Sequence, residues 1–495
     1  MTSFRLVVLL LAAGVAVTLA PGATRDVDAA GQGPIVTHGV AVGDVRSDSA
    51  VLWARADRAA TLHVGLAGGR HDRVERLDVT AEHDFTGQVL LSGLRPRTTY
   101  RYSVRFRADG QGPKVEGSFT TAPAADDPAP VRLAFGGDLA GQNVCRDAAE
   151  GFPVLEQVRD FRPDVFVGLG DMIYADNLCA AAGRYGNAQV PGDFAEAATT
   201  EEFWQHWRYT RADEGLQRLL AETGYVGVWD DHEVVNDLGP LHDTGPTPPY
   251  PAGVHLLPLG LQAFLDYTPI ASSEETPKRL YRSLRYGKHL ELFVLDTRQY
   301  RDANGALDSP ERPKTMLGRE QLTWLQEKLA GSDATWKVVV SSVPMSIPTG
   351  FPAANGRDGW ANFDQQTGFE QELLAILDHA RDHAVDNLFW LTTDVHFAEA
   401  LRYRPFADDP GFVVHELATG PMNAGIFPVR DLDSTLAPEV LAFVGPPTPA
   451  DVVTWADAKR WFNFGALEIG VDGDLTARIV DTAGSTRYRL ELEPT

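Results

Sequence analysis

From residue 131 onward the chain repeats one pattern, a short apolar run followed at once by a polar cluster rich in acids. The runs lie at 131–135, 164–169, 225–229, 290–295, 336–340, 387–391 and 413–417. Longer segments with apolar residues at helical spacing fall between them, at 317–329 and 369–380, and Thr199 with Glu202 forms a capping-box pattern ahead of a helix through Trp207. Strand-like runs alternating with helices predict parallel strands joined by crossovers. In an open α/β sheet the loops at the carboxyl ends of the strands converge on one crevice, so residues far apart in sequence meet there. The tail, 464–492, alternates again around the turn Gly470-Val471-Asp472-Gly473 and predicts antiparallel strands.

The polar clusters decide the chemistry. The first run ends in Gly137 and Asp138. The second ends in Gly170-Asp171-Met172-Ile173-Tyr174-Ala175-Asp176, and the third in Asp230-Asp231-His232-Glu233 with Asn236 a turn later. The sixth ends in Thr393-Asp394-Val395-His396. One acid after one strand is an ordinary turn or helix cap. Four clusters aimed at one crevice, with His, Tyr and Asn among the acids, suit a centre of two or three metal ions. A carboxylate has two oxygens and can bridge cations at the spacing of about 3.5–4 Å that clamps a phosphoryl group, and Asp171 is the best-placed bridge. Tyr174 is either a hard phenolate ligand favouring a trivalent ion or an aromatic ring packed beneath the loop.

Ahead of this region, β-rich runs at 49–53, 60–64, 85–91 and 99–105 are separated by turn signals and predict a β-sandwich over 31–122. Residues 94–102 resemble the strand entry of fibronectin type III domains. A linker rich in Ala, Asp and Pro, 123–130, separates the sandwich from a larger unit at 131–495. Residues 1–30 read as an export signal: Arg5, an apolar run over 6–20, then small residues near Ala23 and Ala29. The run is shorter than the roughly 20 residues of a membrane span, so an extracytoplasmic protein without a span after signal cleavage is expected. Cys145 and Cys179 allow one disulfide in that setting, with a pair of free thiols as the alternative. A net charge of −24 disfavours binding to nucleic acid or anionic lipid.

Taken together, the motif at 170–176, Trp229 to Glu233, Leu295 to Arg301, Ser341 to Met345 and Asp394-Val395-His396 resemble the PhoD-type alkaline phosphatases and phosphodiesterases, which are calcineurin-like metallophosphoesterases related to the purple acid phosphatases. The resemblance covers almost the whole chain. It implies a fibronectin III-like sandwich followed by an α/β metallophosphoesterase domain of the αββα type. It also implies an exported phosphatase that scavenges phosphate, hydrolysing small phosphate monoesters and diesters through a metal-bound hydroxide. By position, Asp138, Asp171, Tyr174 and His396 fall where ligands of a ferric ion stand in that family, and Asp171, Asp231, Asn236 and Asp394 where calcium ligands stand. His232 falls where a histidine contacts the phosphoryl group or protonates the leaving group, with Asp230 and Glu233 orienting ligands. Asp296 and Arg298 are either catalytic or a buried ion pair, and Trp360 either lines the crevice mouth or lies on a surface loop. The family commonly has Ser-Cys after the first strand; Asp138 replaces that thiolate, which keeps Mn2+, Mg2+ and Zn2+ open beside Fe3+ and Ca2+. A phospholipase D-like diesterase and a non-catalytic surface-binding protein are the competing readings. Oligomeric state is left open.

Overall fold

The computed structural model describes residues 33–67, 73–239, 253–271, 275–350 and 356–495; the export signal expected over 1–30 lies outside these residues. Two large sheets pack face to face. One has nine strands, in the order Thr486–Leu492, Leu475–Asp481, Asn463–Ile469, Val131–Gly136, Val165–Gly168, Gly224–Gly227, Val36–Gly43, Ser49–Ala56 and Thr86–Ser92. The other has seven, in the order Arg282–Tyr286, Leu290–Val294, Trp336–Val340, Leu388–Thr392, Val414–Ala418, Ala398–Tyr403 and Pro438–Val444. Strands alternate their side chains between faces, and both faces are apolar. Along Val131–Gly136, Val131, Leu133 and Phe135 enter the core between the sheets, while Ala134 faces the outer helices. Along Leu388–Thr392, Phe389 and Leu391 face inward, while Leu388 and Trp390 pack outward with Leu373 and Ile376 of helix Glu370–Asp382. Helices therefore cover both outer faces, in an α/β/β/α stack.

The central strands are parallel as expected: Val131–Gly136 pairs with Val165–Gly168, and that strand with Gly224–Gly227. In the second sheet Leu290–Val294, Trp336–Val340, Leu388–Thr392 and Val414–Ala418 form a parallel run. The tail returns as antiparallel strands beside Val131–Gly136. Helix Thr200–Arg211 starts in the expected capping box of Thr199 and Glu202.

The amino-terminal sandwich is fused to this stack. Its four-stranded sheet, Arg73–Val79, Ala60–Ala67, Thr99–Arg107 and Val115–Thr120, faces the last three strands of the nine-stranded sheet. Strand Val36–Gly43 pairs in parallel with Gly224–Gly227, so one sheet runs through both regions. Leu52 and Ala54 enter the sandwich core, while Trp53 between them enters the helix-covered core and donates its indole N–H to the Asp266 carbonyl at 2.7 Å. Buried ion pairs of Arg55 and Arg208 with Asp84, and of Arg282 with Asp44, close the same junction.

Candidate metal centre

The carboxyl ends of the strands from both sheets meet at one crevice, and the sequence clusters meet with them. Three sets of side chains place their ligand atoms within 4.8 Å of one another around Asp171: Asp138 with His396, Asp231 with His232, and Asp230, Asp231 with Asp394. A further set joins Asp231 to Asp237 and Asp358. Asp171 and Asp231 each belong to three of these four sets, and Asp171 is the one that joins the Asp138–His396 set to the others, the position a bridging carboxylate needs. Asp138, Asp171, Asp394 and His396 all hold their backbone at φ between 54° and 79°. That left-handed conformation costs a non-glycine residue about 1 kcal/mol or more and clusters at functional sites.

The loops are tied from beneath. Glu233 accepts N–H bonds from Asp171 at 3.0 Å, Met172 at 2.8 Å and Asp230 at 2.7 Å, locking two ligand loops to one carboxylate. Thr393 donates to Asp138 at 2.9 Å and Ser342 to Asp230 at 2.6 Å. Arg298 has no solvent exposure and binds Asp230 at 2.6 Å, Asp358 at 2.9 Å and the Leu238 carbonyl at 3.2 Å. Of its two sequence readings, the geometry is that of the buried ion pair. Asp296 turns away to Trp229, whose indole donates to it at 2.9 Å. Trp360 lies neither at the mouth nor on the surface: it is fully buried against Trp390, because its ring completes the core beneath the second sheet.

Around the first set, His396 donates its Nδ1 proton to the Gly425 carbonyl, which leaves the Nε2 lone pair 2.9 Å from the Tyr174 hydroxyl and 4.0 Å from Asp138. Burial pushes its pKa down to about 3, keeping the ring neutral as a ligand must be. Tyr174 is 2% exposed: its ring packs under the loop, and its hydroxyl reaches this set beside His396. Asn236 is exposed on the rim of the same cavity.

His232, which shares a set with Asp171 and Asp231, has a partner of its own. Its Nδ1 lies 2.7 Å from Asp176, which also accepts the Asn236 backbone N–H at 2.9 Å. Burial alone would lower this histidine; the charges of Asp176, Asp231 and Asp171 outweigh it and hold the pKa well above the ordinary value. Asp176, Asp237 and Asp358 were not among the residues singled out from sequence. Asp176 had a signal in its place within the motif at 170–176, whereas Asp358 lies in a loop without one.

The donor set fits cations. Asp138 Oδ1, Asp171 Oδ2, Asp230 Oδ2 and Asp394 Oδ2 are buried oxygens with no hydrogen-bond donor among the described residues, a costly arrangement unless a positive ion satisfies them. Burial, then the charges of Asp358, Asp230 and Asp231, hold the Asp394 carboxyl well above the usual range. Cys145 and Cys179 are joined in a disulfide, with Cα atoms 5.8 Å apart, which fastens the loop after Asp138 to the segment after Tyr174.

Residues 134–472 match the family model for PhoD-like phosphatase, and residues 22–123 match that for the PhoD-like phosphatase N-terminal domain. Alkaline phosphatase D of Bacillus subtilis (strain 168) is 27% identical over 394 residues, 73% of this chain; the chain spans 64% of the length of that relative. A solved structure of PhoD superposes with a TM-score of 0.71 at 21% identity, covering 94% of this chain and 93% of the other. A purple acid phosphatase from yellow lupin (Lupinus luteus) seeds superposes with a TM-score of 0.59 at 13% identity, covering 92% and 74%.

Proposed function

Because the chain belongs to the PhoD-like phosphatase family, we propose that it is a metal-dependent hydrolase of small phosphate monoesters and diesters that works outside the cytoplasm to release phosphate. The observation that carries this reading is Asp171, shared by three ligand sets and holding an oxygen that no donor among the described residues satisfies. Asp138, Asp171, Tyr174 and His396 would hold a trivalent ion, iron, since three oxygens and one imidazole form a hard donor set. Asp171, Asp231, Asp394 and Asn236 would hold calcium, which takes oxygen ligands. Such cations neutralise the phosphoryl oxygens and activate water when bound.

The chain's own residues do the rest. Asp176 occupies Nδ1 of His232 and fixes the ring, leaving the Nε2 proton for the leaving-group oxygen. Asp176, which is not among those ligands, favours the protonated ring. Glu233 and Arg298 hold the ligand loops in register, so the carboxylates need not reorganise when an ester enters. The disulfide supports an oxidising compartment.

The test uses protein purified without chelator, then stripped with EDTA and reloaded with iron and calcium or with manganese. Hydrolysis of 4-nitrophenyl phosphate and bis(4-nitrophenyl) phosphate should vanish on stripping and return on reloading. Preference for phosphatidylcholine would move the assignment to a lipid diesterase. Metal-loaded protein that hydrolyses none of the three would overturn it.

A further inference from the structure

The cavity above the carboxylate cluster, about 180 Å³, is walled by Asp231, Asp237, Asp394, His232 and His396, and by one guanidinium, that of Arg430. Arg430 follows strand Val414–Ala418 in the chain, and its Nη1 donates to the Pro348 carbonyl at 2.8 Å. Pro348 lies in the loop after strand Trp336–Val340, which Leu388–Thr392 separates from Val414–Ala418, so the guanidinium spans two loops at the carboxyl end of the second sheet. Phe427, three residues earlier, stacks on the His396 ring at 4.3 Å and 13°, which fixes the segment against the ligand cluster.

Arg298 and Arg430 both reach this cluster, and their settings differ. Arg298 is sealed beneath the carboxylates, with Asp230 and Asp358 taking its fork. Arg430 is half-buried and stands on the open side. A cation on the wall of an acidic cavity has a clear use once the carboxylates are engaged by metal ions: a planar fork of N–H donors matches the oxygens of a phosphoryl group. We propose that Arg430 binds a non-bridging oxygen of the substrate phosphoryl group, which makes it a substrate-binding residue outside the metal ligands. This rests on the phosphate-ester reading above.

The experiment compares metal-loaded wild type with Arg430→Gln and Arg430→Lys. It measures binding of inorganic phosphate by calorimetry, steady-state kinetics with 4-nitrophenyl phosphate, metal content and melting temperature. Arg430→Gln should weaken phosphate binding about tenfold or more and raise KM in parallel, with kcat changing less, and should keep its metal and its melting temperature. Arg430→Lys, which keeps the charge, should recover part of the loss. Wild-type phosphate affinity in Arg430→Gln would overturn the proposal, as would loss of metal in both variants, which would make Arg430 a brace for its loop. Absence of turnover by the wild type would refute the phosphatase reading instead, and phosphate binding is measured separately from turnover.

Discussion

Replacing Arg298 by Met tests how the ligand cluster is held together. The guanidinium has no solvent exposure and binds Asp230 at 2.6 Å and Asp358 at 2.9 Å, with Asp231 further off at 3.8 Å, besides capping the Leu238 carbonyl. Methionine keeps much of the side-chain length but none of the charge. Removing one partner of a buried ionic group leaves the others uncompensated and costs about 3–5 kcal/mol. An unfolding entropy of about 2.1 cal/mol/K per residue over 495 residues is about 1 kcal/mol/K, so the metal-free protein should melt about 3–5 °C lower. Asp230 and Asp358 also belong to ligand sets, so bound cations supply part of the missing charge. Saturating calcium should therefore raise the melting temperature of the variant more than that of wild type. Arg298→Lys reaches only one of the two carboxylates and should fall between them. Differential scanning calorimetry in EDTA and in excess calcium reads all of this. A Met variant that melts with wild type in EDTA would refute the view that this guanidinium holds the cluster.

Three further outcomes follow from the same geometry. His232→Ala should lose at least a hundredfold in kcat while keeping its metal, as read by steady-state kinetics and elemental analysis, because proton transfer from a positioned side chain contributes about 10²–10⁴-fold; an emptied site would make His232 a ligand. Cys145→Ser should cost about 4 kcal/mol in denaturant unfolding, since the disulfide closes a loop of sequence separation 34, and reduction of wild type should reproduce the loss. Burial, then the charge of Glu416, raises the Glu399 carboxyl to about 8, so the folded state holds a proton that the unfolded state has released. Its stabilisation is full below the unfolded value near 4.5 and is lost as pH rises toward 8; Glu399→Gln should flatten that decline and melt higher than wild type at pH 9.

The strands around the site and their parallel sense were legible because these runs are apolar at consecutive positions, and the polar residues that follow them stand where parallel strands end. Val165–Gly168 and Gly224–Gly227 are buried at every position, and such runs have few other destinations. The fusion of the two regions was not legible. Strand Val36–Gly43 finds its parallel partner some 180 residues away, and its Ala41 and the neighbouring Trp53 differ from sandwich residues only in what lies opposite them. The candidate ligands Asp138, Asp171, Tyr174, Asp231, Asp394 and His396 converge because each follows a strand. Asp358 has no strand immediately before it, and only the fork of Arg298 reveals its place. Arg298 itself was ambiguous because a guanidinium that binds phosphate and one that neutralises buried carboxylates are the same residue until burial is known.

The central claim is that Asp171 bridges cations which this chain uses to hydrolyse phosphate esters. Its most direct measurement is metal stoichiometry by elemental analysis of wild type and Asp171→Asn, purified without chelator and reloaded identically, with 4-nitrophenyl phosphate turnover measured on the same samples. The account predicts at least two cations per wild-type chain, and in Asp171→Asn the loss of most of that metal with at least a hundredfold lower turnover, because a neutral amide can neither bridge two cations nor offset their charge. Full stoichiometry and near-normal turnover in Asp171→Asn, or a wild-type chain that hydrolyses the ester while holding no metal, would contradict it.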